Sequence, residues 1–232
     1  MTLLRLSGLA AGYGAKTVIA DVSFGLEPGQ ILAFLGHNGA GKTTTLKTVM
    51  GLLPPRAGEL VFDGRRIERL DVSRRVAMGL RLLPEGRGIF PDLSVAENID
   101  VVAARNVGGA AMFGIADVYQ LFPILEERRP TRAGSLSGGQ QQMLALALAI
   151  LGSPRCLLLD EPSIGLAPNL VERLFQQVRD LCRSHAMTAI LVEQNVAAAM
   201  QIADRVIIMN NGRIVFDGLP REARESNFWN YF

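Results

Sequence analysis

The segment that most constrains the fold lies at residues 36–43, which match the pattern G-x-x-x-x-G-K-[ST]. The apolar run Ile31–Leu35 precedes it and predicts a buried strand, and the residues that follow, up to 50, predict a helix. A glycine-rich loop between a strand and a helix is typical of a P-loop, whose backbone N–H groups and helix N-terminus bind phosphate oxygens. The predicted phosphate-binding residues are Gly36, His37, Asn38, Gly39, Ala40, Gly41, Lys42, Thr43 and Thr44.

Two side chains of this loop carry specific chemistry. We expect Lys42 to reach the β- and γ-phosphates of a nucleotide, and Thr43 to place its hydroxyl on Mg²⁺. A glycine-rich turn that matches the pattern by chance is the competing interpretation. The predicted strand before the loop and the predicted helix after it argue against that interpretation.

Composition sets broad limits on the chain. Its 232 residues, 49% of them hydrophobic, are enough for one large domain or for a core with an inserted subdomain. The net charge of +2 indicates no basic face, so we predict no nucleic-acid partner. The two cysteines lack metal-ligand spacing and predict a reduced, cytosolic chain, and two histidines alone cannot build a metal site.

No stretch of the sequence predicts a membrane span. The longest apolar run, residues 143–151, is too short to cross a bilayer. The N-terminus lacks the basic start and long apolar region of a signal peptide. We therefore predict a soluble chain, which acts at a membrane only through another subunit.

The first part of the chain predicts short strands at residues 3–6, 22–26, 59–64 and 80–83, with Tyr13 in an early loop between glycines. An aromatic side chain there can stack on a purine base, although a loop tyrosine that packs on its own scaffold is the commoner case.

A different composition begins after a Gly/Pro-rich loop, and residues 86–150 look mostly helical. Ser94 and Glu97 form a capping-box pattern that predicts a helix from Val95. Gly108 and Gly109 are expected to break this helix, and residues 118–127 to resume helix.

A second capping-box pattern, Ser137 with Gln140, predicts a helix from Gly138 to about residue 151. The N–H groups of Gly138 and Gly139 at its start are a second potential anion site. An ordinary capped helix is the alternative, and without further information it is the more frequent one.

Two carboxylates, Asp160 and Glu161, end the apolar strand predicted at residues 156–160. Carboxylates at the carboxyl end of a buried strand lie at the ligand edge of an α/β sheet. Asp160 is suited to hold Mg²⁺, and Glu161 is suited to orient water against a γ-phosphate. The alternative is a pair of solvated charges at a strand end, which the P-loop makes less favoured.

The C-terminal part predicts an amphipathic helix at residues 169–184 and a strand at Thr188–Val192. Asn211-Gly212 between two apolar runs predicts a hairpin. The tail with Trp229 is predicted to be helical, with apolar residues that dock on the domain or on a partner.

The order of the P-loop, the sequence LSGGQ at residues 136–140 and the Asp160-Glu161 strand resembles an ABC-transporter ATPase subunit over nearly the whole chain. The resemblance implies an α/β fold: a P-loop NTPase (RecA-like) core with an N-terminal antiparallel β part and an inserted α-helical subdomain. On this basis we divide one ATPase domain, residues 1–232, into a core (1–85 and 151–232) and a helical subdomain with the signature (86–150).

The resemblance also implies roles for several residues. In this family two ATPase domains meet head to tail, so Ser137, Gly138, Gly139 and Gln140 would complete the site of a second ATPase. Tyr13 corresponds to the adenine-stacking position. ATP and Mg²⁺ are the implied ligands.

Three departures from the general family pattern narrow the resemblance. Glu85 stands where a Gln ligand is usual, Gln194 stands where the switch His is usual, and residues 164–167 lack the usual closing Asp. Glu85 can still approach the metal or water, and Gln194 can hydrogen-bond but cannot carry an imidazolium charge. Three short motifs, PEGR at residues 84–87, GLAP at residues 165–168 and VEQN at residues 192–195, together resemble the smaller ATPase of branched-chain amino acid importers, with urea and amide importers as close relatives.

This branch implies partners and location. The ATPase pairs with a second, usually non-identical ATPase at the cytoplasmic face of the inner membrane. It acts with two membrane permeases and, indirectly, a periplasmic solute-binding protein. The alternatives are the ATPase of a urea or amide importer, that of a lipid exporter, a soluble ABC switch outside transport, and a regulatory subunit that barely hydrolyses ATP.

Overall fold

The computed structural model describes residues 2–86, 88–104 and 113–225, so Arg87, Gly108, Gly109 and the tail with Trp229 lie outside the described residues. In chain order the elements are β1 (Leu4–Tyr13), β2 (Lys16–Leu26), β3 (Ile31–Leu35), α1 (Lys42–Met50), β4 (Ala57–Phe62), β5 (Arg65–Arg66), α2 (Val72–Ala77), β6 (Leu80–Leu83), α3 (Val95–Ala103), α4 (Ile115–Leu121), α5 (Pro123–Glu127), a 3-10 helix (Ala133–Ser135), α6 (Gly138–Ile150), β7 (Cys156–Asp160), α7 (Pro168–His185), β8 (Thr188–Val192), α8 (Val196–Ile202), β9 (Arg205–Asn210), β10 (Arg213–Gly218) and α9 (Pro220–Glu225).

The N-terminal sheet is antiparallel, with strand order β2-β1-β4-β5. The prediction of short strands at residues 3–6 and 22–26 was wrong in extent, because β1 and β2 form one long hairpin. Tyr13, predicted in a loop, ends β1 and pairs with Lys16. Register shifts between Leu6 and Ala11 interrupt the alternation of buried and exposed residues, so the period-two signal is lost there.

The larger sheet has strand order β10-β9-β3-β8-β7-β6 and is parallel except for β10. Every residue of β3, β7 and β8 is buried, as expected for parallel strands that are covered on both faces. Because these strands are parallel, the residues that follow β3, β6, β7 and β8 emerge at one edge of the sheet. That edge carries the candidate site.

The predicted hairpin at Asn211-Gly212 is confirmed. Both residues have positive φ angles, 48° and 76°, as a tight two-residue hairpin turn between twisted strands requires. A Cβ atom on Gly212 would lie 2.0 Å from the carbonyl oxygen of Val18, so only glycine allows the turn to approach β2. The turn thereby joins the two sheets next to the P-loop.

Local capping sets the ends of two helices. Ser94 with Glu97 starts α3 at Val95, and Ser137 with Gln140 starts α6, as predicted. The single helix predicted at residues 118–127 was wrong, because α4 ends before Phe122 and α5 begins at Pro123. Proline lacks the N–H group that would continue α4, but it is well suited to the first position of a helix.

Arg75 closes the C-terminal end of α1 from inside the fold. Its side chain is 1% exposed. It donates hydrogen bonds to the carbonyl oxygens of Thr48 (2.8 Å), Val49 (2.7 Å), Leu70 (3.0 Å) and Glu68 (3.2 Å). The last carbonyls of a helix lack intrahelical partners, and a cation favours the negative end of the helix dipole. The helix that follows the P-loop is therefore held at its far end by one buried guanidinium.

Both cysteines lie in the core. Burial raises the pKa of Cys182 to about 12, and burial also raises the pKa of Cys156. Because the thiolate is the reactive form, we expect neither thiol to react with a water-soluble disulfide reagent at pH 8 in the native chain. Two thiols should be titrated after unfolding in guanidinium. Fast labelling of the native chain would contradict the buried placement.

No helix in the described part of the chain is both long and apolar enough to cross a membrane.

Candidate active site

A cavity of about 370 Å³ opens at the edge of the larger sheet where β3, β6, β7 and β8 end. The loop before α1, the residue after β7 and the residues that follow β6 and β8 all contribute to its wall. Its lining residues are Val18, Asn38, Gly39, Gly41, Lys42, Thr43, Thr44, Glu85, Glu161, Ile164 and Gln194. The predicted P-loop thus shares one cavity with the carboxylates of Glu85 and Glu161. Asp160 is not among the lining residues, but it accepts a hydrogen bond from Thr43, which does line the cavity.

The loop before α1 has a phosphate-binding shape. Gly36 has a φ angle of 145°, and a Cβ atom there would lie 2.4 Å from the carbonyl oxygen of Met209. Lys42 donates hydrogen bonds to the carbonyl oxygens of Gly36 (2.7 Å) and His37 (3.1 Å). Burial lowers the pKa of Lys42, and the carboxylates of Glu161, Asp160 and Glu193 oppose this shift. The ammonium is therefore held within the loop, beside a cavity whose carboxylates favour its charged form.

Thr43 and Asp160 form the next pair. The Thr43 hydroxyl donates a 2.9 Å hydrogen bond to the Asp160 carboxylate. Burial raises the pKa of Asp160, the hydrogen bond from Thr43 opposes the increase, and the charges of Glu161 and Glu85 add to it. A cation placed here would relieve this crowding of negative charge.

These oxygen ligands fit Mg²⁺. No group of three or more His, Cys, Asp or Glu side chains that could hold a metal is present in residues 2–86, 88–104 and 113–225. Mg²⁺ does not need such a cluster, because it usually keeps several waters and binds one or two carboxylates together with substrate phosphates. A hydroxyl and a carboxylate beside a P-loop suit that mode.

Glu161 and Gln194 are in contact in the wall of the cavity. The Gln194 amide donates a 2.8 Å hydrogen bond to Glu161, and both residues line the cavity with Glu85. Glu161 has a φ angle of 51°, which is rare for a residue that is not glycine, asparagine or aspartate. Strained backbone of this kind is concentrated at functional sites, where the surrounding structure holds it.

The family model for ABC transporters matches residues 19–164, more than half of the chain. The chain belongs to the ABC transporter family. It carries the ATP-binding ATPase domain of that family, and the predicted function as an ATPase coupled to transport is confirmed.

Two relatives are named as ATP-binding proteins of branched-chain amino acid transport. The chain is 38% identical to the high-affinity branched-chain amino acid transport ATP-binding protein BraG of Pseudomonas aeruginosa, over 92% of this chain and 91% of BraG. It is 34% identical to the probable branched-chain amino acid transport ATP-binding protein LivF of Archaeoglobus fulgidus, over 96% of this chain and 94% of LivF.

A third relative is named for lipopolysaccharide export, and a solved structure is similar in fold over nearly the whole chain. The lipopolysaccharide export system ATP-binding protein LptB of Acidithiobacillus ferridurans is 31% identical over 95% of this chain and 91% of LptB. A crystal structure of a nucleotide-free ATP-binding cassette from an ABC transporter has a TM-score of 0.86 at 21% identity, over 99% of this chain and 96% of that chain. The predicted fold class is confirmed.

The ABC signature lies apart from the P-loop cavity. Ser137, Gly139 and Gln140 line a second cavity of about 440 Å³, together with residues of α4, α5, α6 and α7. None of the described residues that line the P-loop cavity belongs to the signature. Tyr13, whose side chain is 49% exposed, does not line the P-loop cavity either. In this ABC chain the signature therefore does not contact the P-loop cavity of the same chain.

Sequence reasoning assigned no role to one buried residue of this ABC site. Glu193 is 2% exposed and follows β8 directly. It accepts four hydrogen bonds from Ser163, Gln194 and Asn195. The available signal was a carboxylate that directly follows a buried parallel strand, the same signal that identified Asp160 and Glu161.

Proposed function

We propose that this chain is the ATP-hydrolysing subunit that powers import of branched-chain or related amino acids through separate membrane permeases. The observation that carries the proposal is the convergence of the P-loop, the Thr43–Asp160 pair and the Glu161–Gln194 pair on one cavity. The similarity to BraG and LivF over nearly the full length supports the solute class.

ATP phosphates bind the backbone N–H groups of the P-loop and the start of α1, and Lys42 moves from the loop carbonyls to the phosphates. Thr43 and Asp160 would hold Mg²⁺, and Glu85, which lines the same cavity, would contact it through water. A bound Mg²⁺ would supply positive charge against the charge that develops on the phosphates. The exposed Tyr13 ring stacks on the adenine.

Glu161 is the general base in this proposal. Its carboxylate lies in the cavity, and its Oε2 atom accepts a hydrogen bond from the Gln194 amide. This bond orients the carboxylate and leaves the Oε1 atom to contact a water molecule. Gln194 has both a donor and an acceptor, which suits a residue that contacts a carboxylate on one side and water or phosphate on the other.

A second ATPase subunit completes the site. The signature residues Ser137, Gly138, Gly139 and Gln140 stand at the N-terminus of α6, a suitable position for a γ-phosphate. Because these residues lie outside the P-loop cavity of their own chain, we assign them to contact the ATP bound by the partner subunit. The signature of the partner subunit then contacts the ATP bound by this chain. The partner is an ATPase of a different sequence.

The remaining partners follow from the importer assignment. Two permeases span the membrane, a periplasmic solute-binding protein acts through them, and this chain is peripheral at the cytoplasmic face. The groove between the core and the helical subdomain assigned to residues 86–150 would receive a permease helix. An exporter role like that of LptB is the competing candidate, and the lower identity to LptB together with Glu85 and Gln194 disfavours it.

Co-purification tests the assembly. A tagged Glu161→Gln chain, expressed in its source cell and extracted from membranes with ATP and Mg²⁺, should retain two permeases and a second ATPase. Tagged Lys42→Ala is the matched control, because it lacks the phosphate contact that keeps the ATPase pair closed. Recovery of the chain alone from both variants would contradict the importer assignment.

Uptake tests the solute class. Deletion of the chain should abolish high-affinity uptake of labelled leucine, and the wild-type chain should restore it where Glu161→Gln does not. Loss of urea uptake with normal leucine uptake would move the assignment to a urea or amide importer.

A further inference from the structure

We propose that Glu193 is a positioning residue for ATP hydrolysis, which holds the Glu161–Gln194 pair in register by clamping the loops that carry the two residues. The inference rests on the proposed role of Glu161 as the general base. In this proposal Glu193 touches neither ATP nor the attacking water. It acts only through its contacts with the backbone and side chains of the two loops.

The contacts connect two distant parts of the chain. One carboxylate oxygen of Glu193 accepts the Ser163 backbone N–H at 3.0 Å. The other accepts the Ser163 hydroxyl at 2.8 Å and the backbone N–H groups of Gln194 at 3.1 Å and Asn195 at 3.3 Å. Glu193 is 2% exposed, so water does not replace these bonds.

A carboxylate is the side chain that this environment requires. Three of the four donors are backbone N–H groups, which cannot accept, and an ionised carboxylate is an acceptor at both oxygens. An amide at the same position would turn its NH₂ group toward at least one of these donors. Burial raises the pKa of Glu193, and the hydrogen bonds from Ser163, Asn195 and Gln194 oppose that shift.

The clamp acts on the catalytic pair from both sides. Ser163 lies two residues after Glu161, whose backbone has the strained φ angle and whose N–H group bonds the Val192 carbonyl oxygen at 2.9 Å. Gln194 is the next residue after Glu193 and bonds the Glu161 side chain. Without the clamp, the bond from the Glu161 N–H to Val192 remains, but the Ser163 loop loses its side-chain link to the loop that carries Gln194. The 2.8 Å contact between Glu161 and Gln194 is then held less firmly.

We expect ATP binding to depend little on the clamp. The P-loop holds Lys42 through the carbonyls of Gly36 and His37, and Thr43 through Asp160. None of these bonds uses Ser163, Gln194 or Glu193. The proposal therefore predicts a loss in kcat with little change in KM for ATP.

The experiment compares steady-state ATPase activity of the full chain, purified with the subunits that accompany it. Glu193→Gln should lower kcat about 10- to 100-fold, the effect expected when reacting groups are misplaced by a fraction of an ångström to 1 Å. KM for ATP should stay within about twofold. Ser163→Ala removes one of the four bonds and should lower kcat by a smaller factor in the same direction.

A double-mutant cycle separates positioning from a general loss of structure. If Glu193 acts through Gln194, Glu193→Gln should lower kcat far less in a Gln194→Ala background than in the wild type, because coupled residues are not additive. Additive effects, or a wild-type kcat in both Glu193→Gln and Ser163→Ala, would overturn the proposal. Should Glu193→Gln fail to fold, Ser163→Ala and its cycle with Gln194→Ala decide the question alone.

Glu68→Gln is the matched control. Glu68 also accepts a backbone N–H, from Leu60 at 2.9 Å, but it lies beside the antiparallel sheet away from the cavity. It should leave kcat unchanged. Glu161→Gln, measured in parallel, separates failure of the proposed function from failure of this inference. Retained hydrolysis in Glu161→Gln would contradict the role of Glu161 as general base. Loss of hydrolysis in Glu161→Gln with wild-type activity in Glu193→Gln would contradict only the positioning role of Glu193.

Discussion

Glu161→Gln should bind ATP as the wild type does and hydrolyse it at least about 100-fold more slowly. A side chain that takes a proton in the transition state contributes about 10²- to 10⁴-fold, and an amide cannot take that proton. The substitution preserves side-chain size and the backbone conformation at φ 51°, so the cavity keeps its shape. Phosphate release measured in a single turnover, with equilibrium dialysis of labelled ATP, gives the rate and the affinity separately.

Lys42→Ala provides the comparison for this result. Lys42 lies in the P-loop and not at the Glu161–Gln194 contact, so its loss should weaken ATP binding as well as hydrolysis. The two variants should therefore differ in affinity while both are slow. Hydrolysis by Glu161→Gln within about threefold of the wild-type rate would exclude Glu161 as the base, since general-base catalysis is worth more than that.

Local signals in the sequence were sufficient for the parts of the fold that depend on neighbouring residues. The capping boxes at Ser94 and Ser137 correctly gave the first residues of α3 and α6, because both partners of each box lie within one turn. The strands Ile31–Leu35, Leu80–Leu83 and Thr188–Val192 were placed to the residue, because each is a short apolar run between turn residues. These strand ends then brought the P-loop, Asp160 and Gln194 to one edge.

Contacts between distant residues were not accessible in the same way. The long β1–β2 hairpin depends on pairing with β4 and on shifts in register, neither of which leaves a period-two pattern in residues 7–13. Glu193 was noticed as part of a motif, but its partner Ser163 is 30 residues away and belongs to a loop with no regular pattern. A hydrogen bond of this kind is a property of the folded loops and cannot be inferred from spacing.

The buried guanidinium at the end of α1 leads to the second large effect. Arg75→Met should lower the free energy of unfolding by about 3 kcal/mol or more, because hydrogen bonds from a charged group contribute about 1.5–3 kcal/mol each and an unsatisfied buried carbonyl costs about 1–3 kcal/mol. The carbonyl oxygens of Thr48 and Val49 lose this donor in a site that is 1% exposed at Arg75. The Thr48 carbonyl keeps a 3.1 Å bond from the Gly51 N–H, so the larger loss is expected at Val49. For a chain of this length the midpoint of thermal unfolding should fall by roughly 6–12 °C, measured by circular dichroism.

Arg74→Met is the control on the same helix, α2. Its side chain is 71% exposed and its 3.8 Å pair with Asp71 is a surface pair, so the change should stay within about 0.5 kcal/mol. Equal, small effects of the two substitutions would mean that water satisfies the helix end. Because Arg75 holds the end of α1 opposite Lys42 and Thr43, ATP should still raise the unfolding midpoint of Arg75→Met, as a ligand that binds only the native state does. A variant that is destabilised yet still stabilised by ATP would show that the C-terminal anchor of α1 supports the fold, while the phosphate site depends on the N-terminal turn.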